Sequence, residues 1–143
     1  MMILSDTRCL LDTNILVFAS VSESPNFIKA NDFLKRARVE GAKIVLSSQN
    51  FLEFSSVMIR HYKKDVKIVS AILSNFLVDL GIEVVYPMPG ALQRFVRLLG
   101  STPGIFPPDL FLAATALEYE IDYLVTDDRD FERIKGIKVY NPF

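Results

Sequence analysis

The chain has one cysteine, one histidine and almost no net charge. Cys9 has no partner for an internal disulfide, and its place in the apolar run Cys9-Leu10-Leu11 marks it as a small core residue. His61, standing alone, excludes a histidine-rich metal site and argues against a Ser-His-Asp triad. The 16 basic residues face 17 acidic ones, a net charge of −1. This balance does not mark a nucleic-acid binder, yet it leaves room for one, because a local basic rim is enough. No apolar stretch approaches the ~18 residues of a membrane span, and no signal peptide is seen. These absences predict a soluble, cytoplasmic protein that does not engage the membrane.

What is present is core material: half of the 143 residues are apolar. Repeats, low-complexity segments and domain boundaries are missing, so one domain over 1–143 is expected, behind a short leader at 1–7 that forms an extra turn or frays. Apolar runs rich in β-branched residues predict strands at Arg8–Leu11, Lys43–Leu46, Ile82–Tyr86, Tyr123–Thr126 and Lys138–Tyr140. Helical spacing fills the intervals, including a helix after Asp109 that is apolar nearly all round and therefore buried. Gly100 to Pro108 reads as a loop of about nine residues. Alternating strands and helices predict an α/β fold: a central parallel sheet of about five strands with helices on both faces.

Four acids recur at comparable addresses. Asp12 follows the first strand, Glu53 lies one turn inside the helix after the second, Asp109 opens the buried helix, and Asp128, flanked by Asp127 and Asp130, follows a later strand. Each has a local alternative. Asp12 can make an Asx turn, Asn50 and Glu53 have capping-box spacing, and Asp109 and Asp127 or Asp128 can cap helices. In a parallel sheet, however, all four fall on one edge, the edge where open α/β sheets carry their sites. Two carboxylates ~4 Å apart repel by about 4 kcal/mol at an effective dielectric of ~20. Four need a cation or protons. With no histidine or thiolate at these positions, the oxygen-only donor set selects Mg²⁺ or Mn²⁺, and the matching chemistry is hydrolysis of a phosphodiester.

The order and spacing of Leu11-Asp12-Thr13-Asn14, Asn50-Phe51-Leu52-Glu53, Asp109 with Ala113, Ala114 and Ala116, Thr126-Asp127-Asp128-Arg129-Asp130-Phe131 and Asn141-Pro142-Phe143 carry a resemblance. From Cys9 to Phe143 the sequence resembles the PIN-domain ribonucleases, especially VapC-type toxins of prokaryotic toxin–antitoxin pairs. The resemblance implies a Rossmann-like three-layer fold and a metal-dependent endoribonuclease leaving a 5′-phosphate and a 3′-hydroxyl. It implies that Asp12, Glu53, Asp109 and Asp128 hold the metal, with Asp127 and Asp130 as alternates to Asp128, and that Asn14 and Thr126 support them. A cognate antitoxin and a homodimer are also implied. RNA needs positive charge near the acids; Arg129, Arg133, Arg60, Lys63 and Lys64 are the main candidates, with Lys67, Arg94 and Arg97 behind them. A surface salt bridge from Arg129 to Asp127 or Asp130 is the competing role for that arginine.

Two other readings compete. A catalytically silent PIN domain would bind RNA or protein. A haloacid-dehalogenase-like phosphatase would also end its first strand in an acid, but it needs a second acid where Asn14 stands and gives Glu53 no role.

Overall fold

In β1 (Arg8–Leu11) and β2 (Lys43–Ser47) every residue after the first is buried, as expected of strands covered on both faces. A computed structural model describes residues 4–143; positions 1–3 of the expected leader lie outside the described residues. The remaining strands are β3 (Ile82–Val85), β4 (Tyr123–Val125) and β5 (Val139–Tyr140), and the five form one sheet in the order β3-β2-β1-β4-β5. All four pairings are parallel, with Leu10 opposite Val45 on one side and Leu124 on the other.

Strand pleating sorts side chains into two cores. Cys9, Leu11, Ile44, Leu46 and Val125 point to one face. There they meet α1 (Thr13–Ser20), α2 (Phe27–Val39), α3 (Ser48–Ser56) and α4 (Val66–Val78). Leu10, Val45 and Leu124 point to the other, against α5 (Pro89–Ser101) and α6 (Pro107–Glu118). The result is the three-layer α/β architecture that the alternation predicted. Helix α6 buries Leu110 and the run Leu112 to Ala116, confirming an apolar helix pressed onto the sheet.

Several boundaries differ from expectation. Residues 4–7 are not among them: they form the extra turn that was one expected outcome, the Thr7 N–H donating to the Leu4 carbonyl (3.2 Å), with Leu4 fully buried and its N–H donating to Glu40 Oε2. The expected nine-residue loop shrinks to Thr102–Phe106, because α5 runs on to Ser101 and Pro107 and Pro108 form the first turn of α6. Proline is favoured there, since its missing N–H is one the helix would leave unpaired. Helix α3 continues through a π-helical turn, Val57–His61, and Lys63 then takes a left-handed conformation (φ 55°) that ends it.

Candidate active site

The strand order reverses about β1, whose neighbours are β2 and β4. The carboxyl ends of β1 and β4 therefore flank the switch point where open α/β sheets form a crevice. Asp12 is the first residue past β1 and is only 7% exposed. Its N–H donates to the Val125 carbonyl (2.9 Å), which fixes the side chain at the sheet edge. Thr126, the first residue past β4 and fully buried, donates its hydroxyl to Asp12 Oδ2 (2.8 Å). The Asp128 N–H in turn donates to Thr126 Oγ1 (3.0 Å).

Glu53 arrives from α3. The capping box of this helix is not the expected Asn50–Glu53 pair. Ser47 is the N-cap and Asn50 sits at the third helical position, its side chain reaching back to the Ser47 N–H. Glu53 is thereby released from capping, and its Oε1 accepts a hydrogen bond from Thr13 Oγ1 (2.8 Å).

Asp109 lies in the first turn of α6, where the helix dipole favours an acid. Burial first, then the charges of Asp12, Asp128, Glu53 and Asp130, push its pKa up to about 7. Asp12 is pushed up to about 6, mainly by burial, with Glu53 and Asp127 adding to the shift and the Thr126 hydrogen bond opposing it. The sequence-predicted acids thus feel one another across one cleft. Asp128 has one oxygen committed to capping the short 3₁₀ helix Arg129–Arg133, through the Asp130 N–H (2.9 Å). The charges of Asp127 and Asp130 add, as the weakest contributions, to the upward shifts of Asp12 and Asp109 respectively.

No three of these carboxylates among the described residues already close around a single ligating point. The donor chemistry nevertheless fits a hard divalent ion. The donors are all oxygen, their negative charge is in excess, and Mg²⁺ keeps several waters while taking one or two carboxylates.

Thr13 and Asn50 were not foreseen as parts of the site. Both are buried, and Asn50 Nδ2 donates to Thr13 Oγ1 (3.0 Å). The signal was there: Asn50 lies four residues before Phe54 and eight before Met58, a polar side chain on the buried face of its helix. Asn14, expected as support, is exposed in the first turn of α1.

The basic candidates divide. Arg129 lies inside the acidic segment and Arg133 just beyond it, both exposed; Arg129 enters no ion pair among the described residues, so the expected salt bridge to Asp127 or Asp130 does not form. It is Arg133 that approaches Asp130 (3.9 Å), while donating to the Pro103 carbonyl. Arg94 is paired with Glu118. Arg60, Lys63 and Lys64 lie past the far end of α3, beginning roughly 10 Å along the helix beyond Glu53. Beside Glu53 is an apolar pocket of about 400 Å³ walled by Leu52, Phe95, Pro107, Pro108 and Phe111.

A doubly wound parallel sheet with acids at the carboxyl ends of its central strands defines an α/β protein whose candidate site is built from carboxylates. The chain belongs to the PIN-domain family, whose model matches residues 9–137. That membership displaces the dehalogenase-like reading. No curated protein matches the sequence. Among solved structures, the chain is similar to VapBC2 from Rickettsia felis bound to a DNA fragment from their promoter (TM-score 0.70, 21% identity, 94% of this chain and 98% of that one). It is also similar to Mycobacterium tuberculosis VapC20, a sarcin-ricin loop cleaving toxin (0.72, 13%, 90% and 95%). A third relative is FitAcB from Neisseria gonorrhoeae (0.71, 15%, 94% and 97%). No helix among the described residues is long and apolar enough to cross a membrane.

Proposed function

We propose that the protein is a cytoplasmic, metal-dependent endoribonuclease, the toxin of a VapBC-type toxin–antitoxin pair. The observation that carries this reading is the set of acids from four separate elements at the switch point, none of them in an ion pair among the described residues. Asp12, Glu53, Asp109 and Asp128 would hold Mg²⁺ or Mn²⁺, with Asp127 and Asp130 as alternates. When bound, the ion supplies Lewis acidity toward a phosphate oxygen and lowers the pKa of water. Thr126 keeps Asp12 turned into the cleft. Asn14 is exposed at the mouth, within reach of a polymeric substrate. Arg129 and Arg133 offer charge to the phosphates on either side of the scissile one, and Arg60, Lys63 and Lys64 extend that path.

An antitoxin partner is supported by similarity to a chain solved in a toxin–antitoxin complex. A homodimer is supported by an apolar stripe on α5, where Met88, Leu92, Val96 and Leu99 are all exposed on the side that carries Phe95 toward the pocket. Stripes of this kind mark protein contacts.

The open spacing of the carboxylates favours one second reading, a silent PIN domain acting as a binding module. Cleavage of a mixed labelled RNA pool in Mn²⁺, Mg²⁺ or EDTA, beside Asp12→Asn, separates the two. Metal-requiring cleavage that disappears in Asp12→Asn supports the nuclease. Absence of cleavage by folded protein shown free of any bound inhibitor supports the module.

A further inference from the structure

We infer that Asn50 is a positioning residue for Glu53, acting through the hydroxyl of Thr13. The inference rests on reading the acid cluster as a divalent-metal centre. Asn50 is fully buried, and all of its amide is engaged. Its Oδ1 accepts from the Ser47 N–H (2.7 Å), while Nδ2 donates to the Leu11 carbonyl (3.0 Å) and to Thr13 Oγ1 (3.0 Å). The orientation of the amide is forced. Turned over, it would set an N–H against the Ser47 N–H and an oxygen against the Leu11 carbonyl.

Because the amide is fixed, Thr13 can only accept from Asn50. Its own proton is then left for Glu53 Oε1, 2.8 Å away, and an ionised carboxylate can only accept. The chain Asn50 to Thr13 to Glu53 thus runs in one direction. Capping α3 uses only the Asn50 oxygen, so the bond from Nδ2 to Thr13 is surplus to the cap.

The same logic operates across the cleft. There the Asp128 backbone N–H occupies Thr126 Oγ1 and commits that hydroxyl to Asp12. On the Thr126 side the director is main chain and cannot be removed by substitution. On the Thr13 side it is a side chain. Glu53 also needs it more. It is half-buried, carries one more rotatable bond than an aspartate, and without the Thr13 hydroxyl would share its time among solvent-facing rotamers.

Groups that orient a ligand in this way change metal affinity or activity by about 10–100-fold when removed. The test is calorimetric titration of Mn²⁺ into the metal-free full-length chain, with thermal melts in EDTA alongside. Thr13→Val is expected to weaken Mn²⁺ about 10–100-fold and Thr13→Ser to restore it. Asn50→Asp keeps the acceptor for Ser47 but removes the donor, so the Thr13 proton is drawn away from Glu53; a loss of the same size is expected. If that variant does not fold, Asn50→Ser replaces it, since its shorter side chain cannot carry a donor to Thr13 Oγ1. The double variant Thr13→Val with Asn50→Asp should bind no more weakly than the weaker single one, because both cut the same line. Wild-type affinity in Thr13→Val, additive losses in the double variant, or a lowered melting temperature with Mn²⁺ affinity intact would each overturn the assignment. Wild-type protein that takes up no Mn²⁺ would overturn the metal-centre reading instead, a different result from all of these.

Discussion

The two ends of the sheet treat charge in opposite ways. At the amino end Arg8 grips Glu83 through two bonds (2.8 and 3.0 Å), donates to the Tyr119 carbonyl, and offers its own N–H to Asp122. Lys43 reaches the Leu80 carbonyl at the same end. At the carboxyl end, Asp109 feels the charges of Asp12, Asp128 and Glu53, hydroxyls serve Asp12 and Glu53, and none of the four acids enters an ion pair among the described residues. Of the six buried polar or charged side chains among the described residues, Asp12, Thr13, Ser47, Asn50 and Thr126 are all at this end. Charges arranged for stability are given opposite partners. Here the acids are held in like-charged company, and the fold retains the arrangement although it is unfavourable without a counter-ion. That asymmetry is what separates a working edge from a structural one.

The sharpest way to break the contrast is to neutralise its centre. Asp12→Asn should cut metal-dependent RNA cleavage by about 10²-fold or more, read as initial rate on a labelled RNA. The same substitution should make the metal-free protein more stable at neutral pH, by about 1–2 kcal/mol in urea melts, because it removes a buried charge among like charges.

The pH dependence follows the same asymmetry. Asp12 and Asp109 hold pKa values of about 6 and about 7 in the folded metal-free chain, above the ordinary 3.8. Between these limits the folded state keeps protons that the unfolded chain has released. Stability therefore falls as pH rises from about 4 to about 7 and levels off above that range. Urea midpoints in EDTA at pH 5 and pH 8 should show the drop, and saturating Mn²⁺ should reduce it.

A smaller effect is expected at the rim. Arg129→Ala should lower the slope of log affinity against log salt for a single-stranded RNA by about 0.7, with little change in melting temperature. The least effect belongs to the amino end. Glu83→Gln breaks a half-exposed pair and should cost less than about 1 kcal/mol of stability, leaving the cleavage rate untouched. A rate that fell with Glu83→Gln would erase the distinction between the two ends.

The layers of the fold were legible because they are set by periodicity. Cys9-Leu10-Leu11 and Ile44-Val45-Leu46 are apolar on both faces, which only a doubly covered parallel strand requires. The acids were legible because each follows a strand or opens a helix, addresses that a parallel sheet gathers at one edge. The hydroxyl and amide contacts were not. Whether Asn50 is the N-cap itself or sits at the third helical position, from which its amide also reaches Thr13, depends on where α3 begins, and Ser47, Ser48 and Asn50 are all eligible caps. The length of the Gly100–Pro108 segment was misread because glycine and proline signal turns in general, while proline also suits a first helical turn. That Leu4 enters the core, rather than fraying, was not legible because local sequence does not show that the main chain near it is held by Glu40, thirty-six residues away.

The register of β1 against β4, Leu11 opposite Val125, has a consequence for synthesis. Asp12 is made early and Asp128 late, and the hydroxyl that steadies Asp12 belongs to Thr126. A growing chain holds the amino-terminal half of the cleft long before the strand that completes it exists. Whatever chemistry the acids perform is therefore withheld from any fragment lacking β4.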